Sequence, residues 1–206
     1  MFGIQNYTSF LLAIVIFQII PGAGTIAILR ATAREGIGTG MKAVAGTLAG
    51  DFLYMLAAVL GLSAILNAHP SILVGMQWLG VAYLCLIGWK LLRVPVTDVS
   101  ITANMEQNDW AYFRQALAVS LTNPKVIMFF MAFFPLFLGK ESTTMTLLIL
   151  MVHVTAISLI YQTALVLVGN VVARRLARWR YARLLATRLA GVALIGFGVQ
   201  LALNNR

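Results

Sequence analysis

The residues with most capacity for chemistry are charged or proline-bearing groups set inside long apolar runs. Asp51 is the one acidic residue within such a run, directly after Gly46-x-x-x-Gly50. A carboxyl group in apolar surroundings needs a partner, or it exchanges a proton during a transport cycle. Asp51 therefore suits a proton-coupled carrier, a counter-charge for the ammonium of an amino acid, or an ion pair with Lys125. Lys125 closes the run Ser120-Leu121-Thr122-Asn123-Pro124-Lys125. A lysine at the centre of a membrane helix costs roughly 2.5–3.5 kcal/mol on insertion scales. It must face an aqueous cavity or a partner, where it can bind a carboxylate, unless it lies near a helix end and snorkels. Pro124 withdraws a backbone donor and frees the carbonyl of Ser120, while Asn123 and the two hydroxyls supply donors beside it.

A second break lies at Ile20-Pro21-Gly22-Ala23-Gly24-Thr25. Pro21 frees the carbonyl of Phe17, and Gly22 and Gly24 loosen the backbone further. In lipid such a break must be satisfied by protein or by water in a cavity. It reads as a broken helix whose backbone meets a zwitterionic solute, or as a plain proline kink. Farther on, Thr155, Ser158 and Gln162 share one helix face and make a plausible cavity wall. His153 points nearly opposite them at 100° per residue and reads as packing. The substrate-binding candidates are thus Pro21, Gly22, Gly24, Ser120, Asn123, Pro124, Lys125 and Gln162, with Asp51 as the proton-coupling candidate.

The elements that position these residues are membrane helices. The 206 residues are 61% hydrophobic and 10% charged, whereas a soluble domain is roughly a quarter charged. At roughly 20 apolar residues per span, about six segments fit. They run roughly over 6–29, 43–66, 71–92, 111–138, 144–172 and 185–203. The longest polar piece, Pro95 to Asp109, has no core of its own and reads as a mobile loop. The glycines at 36, 38 and 40 read as a flexible turn. No basic region precedes the first segment, so no cleaved signal is expected. Cys85 is the single cysteine, which excludes a disulfide framework.

Charge gives these segments a direction. Loops one, three and five and their edges hold twelve lysines and arginines, including Arg174, Arg175, Arg178, Arg180, Arg183 and Arg188, against two on the other side. The positive-inside bias places those loops in the cytoplasm and both termini outside. The net charge of +9 therefore points to anionic lipid at the cytoplasmic surface and not to nucleic acid. The two proline breaks open two three-helix halves. Three is odd, so the halves insert in opposite senses, as in secondary transporters built from inverted repeats. The expected fold is an all-α integral membrane protein of six transmembrane helices in two inverted three-helix halves, forming one domain over 1–206.

No Walker loop is present. His69 and His153 stand far apart without nearby acids, which argues against a metal centre or a hydrolase. An enzyme is therefore not expected. A carrier for a cation or other small metabolite and a non-transport scaffold are the rivals to an amino-acid carrier. Gly46-x-x-x-Gly50 serves packing within a monomer or between copies of a homo-oligomer.

Nearly the whole chain resembles the lysine-exporter superfamily, in its homoserine/threonine-resistance branch. The resemblance is carried by Pro21-Gly22, by Gly46…Gly50-Asp51, and by Ala118-Val119-Ser120-Leu121-Thr122-Asn123-Pro124-Lys125 followed by Phe129, Phe130, Phe133 and Phe134. The closing Gly191…Gly196-Phe197-Gly198 also fits. The resemblance implies proton-driven antiport of amino acids, such as leucine, threonine or homoserine, out through a bacterial inner membrane without a cofactor. One departure bears on substrate. The family usually reads Pro-Gly-Pro at the first break, often with a polar residue next, where this chain has Pro21-Gly22-Ala23-Gly24.

Overall fold

The structure is a computed structural model that describes residues 4–19, 22–68, 70–93, 109–123, 126, 129–130, 133–139, 141–176 and 180–204. Pro21, Pro124 and Lys125 lie outside the described residues, as does most of the loop from Pro95 to Asp109.

The first apolar run does not form one helix. Helix α1 covers Tyr7–Ile19 and α2 covers Ala23–Glu35, bent by 54° across the break. Gly22 at the break is extended, at φ −111° and ψ −177°. The residues expected to start a loop at 30 continue α2 to Glu35. The chain then turns at Gly36, whose φ of 87° suits glycine. The expected flexible turn shrinks to that residue. Helix α3, Ile37–Ala68, already contains Gly38 and Gly40. Gly40 is a point of close approach within that helix: a Cβ there would lie 2.2 Å from Thr32 Oγ1.

Helix α4 spans Pro70–Arg93 and α5 spans Asp109–Leu121. The fourth run is broken as well. Beyond α5 come a turn at Thr122, helical backbone at Val126, Phe129, Phe130 and Phe133, and a 3-10 turn at Phe134–Phe137. Helices α6, Thr144–Leu176, and α7, Arg180–Asn204, complete the chain. Among the described residues, Ile37–Ile65 and Thr144–Val168 are long and apolar enough to cross a membrane, and the bent pair α1–α2 makes a third span if taken as one. Leu60, Leu79 and Ile160 are 64%, 70% and 70% exposed. An exterior this apolar is covered by a bilayer.

Two glycines set the main helix contact. A Cβ at Gly46 would lie 2.3 Å from the carbonyl oxygen of Phe113, and one at Gly50 would lie 2.6 Å from Ser120 Cβ. The Gly-x-x-x-Gly spacing thus seats α5 on α3 within the monomer. Helix α4 packs along α7, where Gly88 meets the Gly191 carbonyl and Gly198 meets Cys85.

The buried apolar residues fall into two separate clusters. One holds Phe10, Ile14, Met55, Leu62, Phe129, Phe133, Phe134, Phe137, Leu147 and Leu150. The other is built of smaller groups: Ile28, Ala31, Ala43, Val44, Ala116 and Val166, with Tyr112. The aromatic cluster is pinned at its outer end. Gln77 Nε2 donates to the carbonyls of Pro135 at 3.0 Å and Leu138 at 2.9 Å, and the Gln5 amide donates to Phe137 O at 2.9 Å. These bonds satisfy backbone oxygens that an irregular segment would otherwise leave bare in lipid.

Candidate functional site

A polar cavity lies between the two clusters. Along α1 and α2 the order is Phe10 and Ile14, then Phe17, Gln18, Gly22, Gly24 and Thr25, then Ile28 and Ala31. Along α3 it reverses: Ala43 and Val44, then Thr47 and Asp51, then Met55. From α5 onward it runs from Tyr112 and Ala116 through Ser120 and Asn123 to Phe129. Along α6 it runs from Leu150 and Val154 through Gln162 to Val166. Both broken elements are therefore interrupted at the level of the cavity, and they pass it in opposite directions.

The cavity measures about 50 Å³. At roughly 10–15 Å³ of this measure per water, that is space for about three to five water molecules. Its polar wall is largely buried: Ser120 is 1% exposed, and Thr47 and Gln162 are 5% exposed. Asp51 is half-buried and accepts a hydrogen bond from Ser120 Oγ at 2.6 Å. That bond crosses the α3–α5 contact fixed by Gly50.

Each break is stabilised by protein. The Ser120 carbonyl, expected to be freed by Pro124, accepts the Asn123 amide at 3.1 Å. The Leu121 carbonyl at the end of α5 accepts the hydroxyl of Tyr54. Thr122 turns its hydroxyl back to Ala118 O at 2.7 Å. At the other break, the first hydrogen bond of α2 runs from Ile26 N–H to Gly22 O at 3.1 Å. The amides of Ala23, Gly24 and Thr25 precede it and have no acceptor within their helix. Gly22 has no side chain to cap them. The positive end of α2 thus lies at the cavity wall, where Gly22, Gly24 and Thr25 sit.

Gln162 supplies the complementary feature. Its Oε1 is buried and has no hydrogen-bond partner among the described residues, on a side chain that lines the cavity. A buried amide oxygen left without a donor costs about 1–3 kcal/mol, so it marks a place for a ligand's N–H. The cavity then offers donors at the start of α2 and at Asn123, and acceptors at Asp51 and Gln162. That is the pattern a zwitterion requires.

Of the sequence candidates, Gly22, Gly24, Asp51, Ser120, Asn123 and Gln162 come together at this one cavity. Pro21, Pro124 and Lys125 fall outside the described residues. Thr155 does not line the cavity; its hydroxyl returns to Met151 O at 2.8 Å. Ser158 acts one step removed, accepting from Gln18 Nε2. His153 is turned away. Its Nδ1–H donates to Ile149 O at 2.8 Å, which leaves Nε2 to accept from Tyr7 OH at 2.8 Å. Sequence reasoning missed Phe17, Gln18, Thr25 and Thr47. Thr47 had a signal, one helical turn before Asp51, and Gln18 is a lone amide in an apolar run.

A profile of the LysE type translocator family matches residues 15–205. The chain is 36% identical over 214 residues to an uncharacterised membrane protein of Pseudomonas aeruginosa, covering 97% of this chain and 96% of the relative. It is 31% identical over 205 residues to the leucine efflux protein of Klebsiella pneumoniae, covering 98% and 96%. It is 28% identical over 204 residues to the leucine efflux protein of Salmonella typhimurium, with the same coverage. No solved structure matches the chain. A family match across almost the whole length, with relatives of matching length, gives the conclusion that this chain belongs to the LysE type translocator family.

Proposed function

We propose that the chain is a secondary-active exporter of neutral amino acids, coupled to protons and working by alternating access. The observation that carries this reading is the polar cavity where both broken helices meet, lined by the start of α2, Asn123, Asp51 and Gln162, whose Oε1 has no partner among the described residues. The substrate carboxylate lies at the start of α2 and at Asn123, with Lys125 as a further contact. The ammonium faces Asp51 and Gln162. Asp51 releases Ser120 and takes a proton when the site empties. The names of the leucine efflux relatives support an amino acid as the solute.

The same reading gives six spans in two inverted halves. It is supported by the opposite senses in which the two broken elements pass the cavity. The basic residues Arg30, Arg34, Lys42 and Arg114 lie on the parts of α2, α3 and α5 that carry the small-residue cluster, and Lys90 and Arg93 close α4. The small-residue side is the cytoplasmic one under the positive-inside rule, and both termini are then periplasmic in a bacterial inner membrane. Arg93 lies 4.1 Å over the Trp89 ring, with both exposed, a pairing suited to the lipid headgroup level.

Efflux of labelled leucine, threonine and lysine from loaded cells tests the proposal. Accelerated loss of leucine or threonine relative to cells without the protein is the expected result. Equal loss of all three with and without the protein would reject amino-acid export. A reporter fused after Arg206 is expected on the periplasmic side.

A further inference from the structure

We infer that Phe17 sets the size of substrate side chain the carrier accepts, acting as an apolar wall of the cavity. The inference rests on the zwitterion site proposed above and extends it to the substrate side chain.

Two observations lead to it. First, among the described residues that line the cavity, Phe17 and Val126 are the apolar ones and the others are polar or glycine. Those two residues offer the apolar surface for the side chain of a substrate held at its carboxylate and ammonium. Second, the volume of about 50 Å³, space for about three to five waters, is small enough that one large ring on its wall bears on how long a side chain fits.

Val126 is 9% exposed and belongs to the packed aromatic cluster, which restrains it. Phe17 is half-buried and stands at the edge of that cluster. Its ring is stacked on Phe129 with centroids 3.5 Å apart and 17° between planes. Phe129 is stacked in turn on Phe133 at 4.3 Å. The Phe17 ring thus stands between the Phe129 face and the cavity. It sits two residues before Ile19, where α1 ends. The bulk of that ring limits the side chain admitted.

The test uses the full chain in proteoliposomes and measures efflux of labelled alanine, valine, leucine and phenylalanine. Phe17→Ala is expected to raise the phenylalanine-to-alanine rate ratio about tenfold, the lower range for one or more methylene-sized differences in an apolar pocket. Phe17→Trp is expected to lower the ratio by a similar factor, and Val126→Ala to raise it less. Phe17→Leu serves if Phe17→Ala does not reach the membrane. Variants that still export alanine with ratios unchanged across the series would overturn the inference while leaving the export reading intact. A wild-type chain that exports none of the four would overturn the export reading, and this inference with it.

Discussion

The two apolar layers on either side of the cavity differ in kind. One is a continuous run of aromatic contacts: Phe17 stacked on Phe129 and Phe129 on Phe133, then Phe133 tilted against Phe137 at 4.7 Å and Phe137 edge-on to Phe10 at 5.2 Å. It is held by Gln77 and by the amide of Gln5 at its far end. The other is made of Ala31, Ala43, Ala116, Ile28, Val44 and Val166, with helix backbones brought close at Gly46. In a bilayer no water is released when helices associate, so packing contacts carry most of the stability. Large interlocked rings make many such contacts and small residues make few. The difference teaches that the two layers carry unequal packing, with interlocked rings on one side of the cavity and small side chains on the other.

That contrast can be broken by substitution. Phe133→Ala leaves a void in the stack and is expected to cost about 3–5 kcal/mol of unfolding free energy, measured by denaturant titration in micelles. Gly46→Ala drives a methyl group against the Phe113 carbonyl and is expected to cost about 1–3 kcal/mol. Val166→Ala, in the small-residue layer, is expected to cost about 1–2 kcal/mol. If Val166→Ala matched or exceeded Phe133→Ala, the two layers would not differ in the way their composition implies.

Much of this arrangement was legible in the sequence, for identifiable reasons. Pro21-Gly22 and Asn123-Pro124 mark backbone that cannot continue a helix, and the chain does leave its helices at 19–23 and at 121–123. Gly46 and Gly50 announced a close helix contact, and Asp51 beside them announced a polar site. Less was legible where neighbours decide the outcome. Gly38 and Gly40 resemble a loop locally, but both lie in α3, and Gly40 serves the close approach of Thr32 from another helix. Thr155 shares a face with Gln162, yet its hydroxyl is absorbed by its own backbone. Phe17 looked like one more apolar residue; its place at the cavity depends on the bend between α1 and α2 and on Phe129, 112 positions away in sequence.

The cavity also ties the two layers to function. Asp51 is held by Ser120 across the α3–α5 contact, at the cavity between the aromatic and the small-residue layers. The most direct test of proton-coupled export is therefore Asp51→Asn, which keeps the shape of the side chain and removes its titration. Leucine efflux driven by a pH gradient is measured in proteoliposomes holding equal amounts of the two folded proteins. The account predicts that the variant loses gradient-driven efflux, by at least about tenfold. Efflux by Asp51→Asn at the wild-type rate, with the same dependence on the gradient, would contradict it.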